Sequence, residues 1–387
     1  MRGEAQRLRD IEPFRVMAIL AQARALEAAG RDIIHMEVGE PDFPTPEPIV
    51  AAGLAALRAG QTRYTPALGL PELREAIARH YRDRHAAEVP AGRIAVTPGA
   101  SGALLLAMAA LFDPGDEILM ADPGYPCNPN FARVFEARGV GVAVGPETDY
   151  QLTAGLVDQH WGPRTRGVLI ANPGNPTGTV IPFDELRAIH ARVRARGGWL
   201  IVDEIYHELI HDGEEPSASL LGEDVVVINS FSKYFLMSGW RLGWLLAPPA
   251  LMAGIERLAQ NLFLAAPTVA QHAALAAFLP ETRVILEARR HELRERREYL
   301  LPALERLGFS LAAKPRGAFY AYAEISRFGE DAEAFCARLL HTAGVAITPG
   351  ADFGRDARAK RHVRFAYTTS LQRIEDALQR LSSLLNG

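Results

Sequence analysis

A lysine set among apolar and aromatic residues is the first position that suggests chemistry. Lys233 lies in the run Ser230-Phe231-Ser232-Lys233-Tyr234-Phe235-Leu236-Met237. Desolvation in such surroundings disfavours an ammonium ion, and the neutral amine that results attacks aldehydes to make a Schiff base. Asp203 ends the apolar run Leu200-Ile201-Val202. A buried carboxylate there needs a cation close by, unless it only caps a strand-to-helix turn. Tyr206 adds a phenol three residues on. Asn175, in the Pro- and Gly-dense loop 172–178, adds an amide donor, although a tight structural turn would have the same composition. Gly99-Ala100-Ser101-Gly102 opens a helical run, offering unpaired N–H groups and a hydroxyl to an anion or simply an N-cap. Ser230 and Arg241 contribute a second hydroxyl and a planar fork suited to phosphate.

Most of these residues follow a short apolar run, which identifies the elements that must position them. Runs at 93–98, 117–122, 141–145, 167–172, 199–204, 225–230 and 242–247 alternate with amphipathic helical stretches. Such a pattern predicts a parallel sheet covered on both faces, with ligands beyond the carboxyl ends of its strands. From Glu281 the character changes. Val284, Leu286, Leu293 and Leu300 recur among dense Arg and Glu, predicting a long exposed helix, and short strands at 318–325, 344–350 and 362–367 follow. The expected fold is therefore α/β: a large domain over 46–280 with a mainly parallel seven-stranded sheet covered by helices, plus a smaller α+β domain from 1–45 and 281–387.

Taken together, the loops ask for one ligand with an aldehyde for Lys233, a basic ring nitrogen for Asp203, an acidic oxygen for Asn175 and Tyr206, and a phosphate for Ser101, Ser230 and Arg241. Pyridoxal 5′-phosphate carries all four groups. Composition agrees with a small-molecule enzyme. With 42 basic against 46 acidic residues there is no positive surplus for nucleic acid. The longest apolar stretch, 102–112, is too short to span a membrane, and the charged N-terminal residues do not form a secretory signal. Two cysteines, Cys127 and Cys336, build neither a disulfide framework nor a zinc set, so a cytoplasmic location is expected.

The segment Ser230–Gly243, the loop 172–178, the string Asp203-Glu204-Ile205-Tyr206 and the N-terminal Val38–Pro46 together resemble the class I/II aminotransferases, the aspartate aminotransferase-like branch of fold type I pyridoxal-phosphate enzymes. The resemblance extends from about Val38 to the C-terminus. It implies that Lys233 holds the cofactor as a Schiff base, Asp203 pairs with the pyridinium nitrogen, and Asn175 with Tyr206 binds the ring hydroxyl. Ala100 (through its backbone), Ser101, Ser230 and Arg241 would hold the phosphate, and Tyr125 would stack on the ring. Arg364 would take the substrate α-carboxylate, with Gly39 and Asn175 beside it. Tyr64 would reach a phosphate in a neighbouring subunit, implying a homodimer with shared sites.

The implied activity is a transaminase that moves the α-amino group of an amino acid to a 2-oxo acid by a ping-pong mechanism. Lys233, Asp203 and Tyr206 would be its catalytic residues. A β- or γ-eliminating lyase on the same scaffold would use the same lysine and arginines. The basic residue that dicarboxylate-specific members use has no unambiguous counterpart, so a preference for dicarboxylic substrates does not follow. His207-Glu208-Leu209-Ile210-His211 spells the zinc-protease string, but it follows a strand directly and runs into Asp212-Gly213. Neither a protease nor any metal site is expected from it. No G-x-G-x-x-G opens a helix after a strand, which disfavours a dehydrogenase.

Overall fold

The computed structural model describes residues 3–213, 215–329 and 331–386. Seven strands make the central sheet: β1 (Ile94–Thr97), β2 (Glu117–Asp122), β3 (Arg138–Ala143), β4 (Thr165–Ala171), β5 (Trp199–Asp203), β6 (Val226–Ser230) and β7 (Gly243–Leu246). Their spatial order is β1-β7-β6-β5-β4-β2-β3. All neighbours run parallel except β7, which is antiparallel to both β1 and β6.

The strands read as continuous apolar runs because both faces are covered. Val168, Ile170, Leu200, Val202 and Val227 enter one core cluster, whereas Leu169, Ile201, Val226 and Ile228 enter another. Successive side chains point to opposite faces, so each residue of a strand finds an apolar layer. Helix α3 (Gly99–Leu111) brings Leu104 and Met108 to the second cluster, and helix α4 (Phe183–Ala195) brings Leu186, Ile189 and Val193 to the first. Each fully buried aliphatic side chain contributes about 1.5–3 kcal/mol.

Two sequence expectations need correction here. The strand expected at 141–145 begins at Arg138, in register with Glu117 of β2. As an edge strand it has a single neighbour, and its alternating Gly and Val residues weaken the apolar signal that marks the inner strands. The stretch 344–350 is two short strands rather than one. Val345–Ala346 pairs parallel with Ile34–His35, whereas Thr348–Pro349 pairs antiparallel with the strand His362–Ala366. The latter also pairs with Tyr320–Glu324 to complete a three-stranded sheet.

The long helix after residue 280 is present as a single 27-residue element, Pro280–Arg306. Leu286, Leu293 and Leu300 recur every seventh residue and are buried, but Val284 is 71% exposed because it falls on another side of the helix. Ion pairs Glu292–Arg296 and Arg294–Glu298, each at 2.8 Å, follow the i,i+4 spacing. Among the described residues no helix is long and apolar enough to cross a membrane.

Candidate active site

The carboxyl ends of β1, β4, β5 and β6 open on one side of the sheet, and the loops that follow them bring the polar residues together. Asp203 is the last residue of β5 and is 6% exposed. Its Oδ1 accepts a hydrogen bond from the Ile205 backbone N–H at 3.2 Å. Burial raises its carboxyl from an ordinary value of 3.8 to about 7, with Glu204 adding to the shift and Lys233 opposing it.

Lys233 follows β6 on a loop packed by Phe231, Phe235 and Met237, all buried. Its Nζ donates to the Gly39 carbonyl at 2.7 Å and lies 5.9 Å from the ring centre of Tyr206 and 5.8 Å from that of Phe319. Burial lowers its amine from 10.5 to about 8; Glu40 opposes the shift, whereas Arg364 and Arg241 reinforce it. An amine so placed is neutral for a sizeable fraction of the time near neutral to mildly alkaline pH.

Arg364, on the strand His362–Ala366, meets Asn175 of the loop after β4: its Nη1 donates to Asn175 Oδ1 at 2.9 Å, and its Nη2 donates to the Glu37 carbonyl. The guanidinium lies 4.3 Å from the ring centre of Tyr320 and 4.6 Å from that of Phe353, while its Nε is buried without a partner. A planar fork gripped this way is oriented for a carboxylate.

The anion cradle is equally tight. Gly99 opens α3 at φ +70°, and a Cβ there would fall 2.5 Å from Arg241 Nη2. Only glycine combines this backbone with so close an approach of a guanidinium. Ala100 and Ser101 occupy the first turn of α3, next to Gly99. Arg241 Nη1 reaches Ser232 Oγ at 3.4 Å and the Ser238 carbonyl at 2.8 Å. Ser230 Oγ accepts from the Ser232 N–H at 3.0 Å. Hydroxyls, a guanidinium and a helix N-terminus therefore converge, an arrangement that binds phosphate.

Tyr125 borders the site, with Phe14 edge-on to its ring at 6.2 Å. A cavity of about 1230 Å³ opens on this side; Tyr125, Asn175, Asp352 and Phe353 are in its wall and Lys233 is not. Tyr64 is not gathered into the site of its own chain and is 84% exposed.

Three participants escaped the sequence reading. Tyr320 Oη is 2.8 Å from Tyr206 Oη, and a Cβ on Gly39 would fall 1.9 Å from that same oxygen. Glu37 supplies the carbonyl for Arg364, and Ser232 supplies the oxygen for Arg241. Ser232 stands one residue from Lys233 and was open to suspicion. Tyr320 and Glu37 carry no local signal, because their partners lie far away in the chain. The HELIH string forms a one-turn helix, His207–Leu209, and its two histidines go different ways: His211 Nε2 meets the Ala318 carbonyl at 2.7 Å, and His207 packs against His85.

Residues 31–381 match the family model for aminotransferase class I and II. The chain is 41% identical to the valine–pyruvate aminotransferase of Mycobacterium tuberculosis over 97% of each chain. It is 34% identical to the aspartate/prephenate aminotransferase of Thermus thermophilus, covering 100% of this chain and 99% of that one. Among solved structures, an aminotransferase from Mycobacterium tuberculosis superposes with a TM-score of 0.96 at 41% identity over 100% of both chains. Thermus thermophilus aspartate aminotransferase with maleate gives 0.93 at 34%, covering 99% of this chain and all of that one. The gathered lysine, aspartate, arginine and anion cradle, on a seven-stranded sheet matched over its whole length, thus belong to a class I and II aminotransferase, an enzyme that transfers an amino group between an amino acid and a 2-oxo acid.

Proposed function

We propose that this chain is a pyridoxal 5′-phosphate transaminase acting on an uncharged α-amino acid with a small 2-oxo acid such as pyruvate as acceptor. The family is generally pyridoxal-phosphate-dependent. The observation that carries the reading is Asp203: a carboxylate buried at a strand end, with a single backbone donor on Oδ1, fits a cationic ring nitrogen. The Gly99–Arg241 cradle fits a phosphate, and the paired hydroxyls of Tyr206 and Tyr320 fit a ring oxygen.

When bound, the cofactor supplies an electrophilic carbonyl carbon and a protonated ring that accepts an electron pair. Lys233 would anchor it covalently through Nζ, and the same Nζ would move the proton at the substrate α-carbon, as befits an amine whose basicity burial lowers. Asp203 holds a proton on the ring nitrogen. Tyr206 and Asn175 orient the ring, while Ala100, Ser101, Ser230 and Arg241 hold the phosphate. Tyr125 covers one ring face. Arg364, with Gly39 beside it, docks the substrate carboxylate.

An uncharged side chain is supported by the rings of Phe14, Tyr125 and Phe353 in the cavity wall and by the likeness to a valine–pyruvate aminotransferase. We infer that the division lies at 46–280 against 1–45 plus 281–387, and that the enzyme is a cytoplasmic homodimer in which exposed Tyr64 completes the neighbouring site. Donor panels read against pyruvate and 2-oxoglutarate test the whole reading. The expected outcome is formation of a new amino acid, with uncharged donors ahead of aspartate by about tenfold or more in kcat/KM. Ammonia and 2-oxo acid formed without any acceptor would instead identify a lyase.

A further inference from the structure

The HELIH string, which the transaminase chemistry leaves unused, leads to a second cluster. Glu208 is 3% exposed and receives two imidazoles on one oxygen: His80 Nε2 at 2.9 Å and His85 Nε2 at 3.3 Å. Both histidines come from helix α2 (Pro71–His85), whereas Glu208 lies five residues beyond Asp203. The three ligand atoms all fall within 4.8 Å of one another, and the three side chains are 5%, 7% and 1% exposed. A tetrahedral zinc ion with bonds near 2.0–2.1 Å sets its ligand atoms about 3.3 Å apart, so only small side-chain shifts would close the set around an ion.

Charge and hydrogen bonding point the same way. A second buried carboxylate, Glu204, is held by Ser217 Oγ at 2.7 Å and the Ala218 N–H at 2.6 Å rather than by a lysine or arginine. Glu204 and Glu208 thus place two buried carboxyl groups at this spot, and among the described residues neither is bonded to a lysine or arginine. His207 packs edge-on to His85 with ring centres 4.9 Å apart. Its bond to the Pro216 backbone leaves Nε2 buried with no partner. An imidazole fixed through one nitrogen with a bare lone pair on the other is in the tautomer that ligates metals. The His80 ring is itself held between Phe235 and Phe278, at 5.7 and 5.4 Å.

We propose that His80, His85 and Glu208 form a structural divalent-metal site of the zinc class, with the His207 imidazole packed beside His85. The ion would pin the segment 203–208, which carries Asp203 and Tyr206, to α2. The site is closed, so it braces the fold and takes no part in turnover.

Metal content tests this independently of activity. Holoenzyme expressed with added zinc, then dialysed and desalted, should retain about one equivalent per chain by plasma mass spectrometry, and a chelator that strips it should lower Tm. His85→Gln, at the most accessible of the three ligands, should bind zinc at least tenfold more weakly and lose the chelator-dependent Tm shift, while the cofactor absorbance at Lys233 persists. Should that variant fold poorly, Glu208→Gln and the wild-type zinc content carry the same test. Less than about half an equivalent on the wild type, or equal retention in wild type and variant, overturns the proposal.

Discussion

Asp203 and Glu204 are adjacent carboxylates on one strand end, both buried, and both raised by burial to about 7. Their surroundings differ. Glu204 has a donor on each oxygen, from Ser217 and Ala218, and so is satisfied within the fold. Asp203 points to the opposite side of the strand, where a backbone N–H meets Oδ1 and Lys233 is the cation acting on it. A structural carboxylate brings its own donors, whereas a functional one is left short of them until a ligand arrives. The polarity of these two neighbours is the same in the sequence; only their faces separate them.

Lys233→Ala is the severest challenge to that contrast, since it removes the cation on the Asp203 side and leaves Glu204 untouched. Transamination should fall on the order of 10⁴-fold or more, and the visible absorbance of the bound cofactor should vanish from the purified protein's spectrum. Normal turnover with any donor would refute the assignment. Asp203→Asn comes next: steady-state kinetics should show kcat reduced by on the order of 10²–10³-fold, because the ring nitrogen loses its charged partner.

The same variant sharpens the comparison through stability. A carboxyl raised from 3.8 to about 7 binds its proton more tightly when folded, so its contribution to stability falls as pH rises through that window. Cofactor-free Asp203→Asn should therefore gain stability over cofactor-free wild type between pH 4 and 7, the gap widening upward, as measured by urea unfolding at several pH values. Glu204→Gln should change turnover by no more than about threefold, and the broken Ser217 or Ala218 bond should cost about 1–3 kcal/mol at pH 4, a loss that shrinks as pH rises toward 7 because Glu204 carries the same upward shift. A large loss of activity with unchanged stability would show that the two acids have been read the wrong way round. Tyr320→Phe has a modest expected effect, about three- to tenfold in kcat/KM, since it removes one hydroxyl from Tyr206 and keeps the ring against Arg364.

Much of the sheet was legible because buried parallel strands are short, apolar and end in the residues that bind ligands. Lys233, Asp203 and Asn175 could be singled out by residue type and position alone. The edge strand at Arg138 and the split strand at 345–349 were not, since their limits depend on which neighbour supplies the hydrogen-bonding ladder. The HELIH string was readable as letters and misleading as geometry: a one-turn helix cannot hold its two histidines on one ion, whereas Glu208 finds histidines more than a hundred residues upstream.

By itself, then, the sequence determined the periodicity of the elements, the polar residues at the strand ends and the family motifs, because these are properties of near neighbours in the chain. Tertiary structure alone decided that Lys233 bonds Gly39 across 194 residues, that Tyr206 meets Tyr320 across 114, and that Arg364 closes on Asn175 across 189. The same packing withdraws water from Asp203 and Lys233: it favours the neutral amine of Lys233, and it leaves Asp203 a carboxyl whose ionised form needs a cationic partner. Desolvation is a property of the assembled core, and no local pattern of residues contains it.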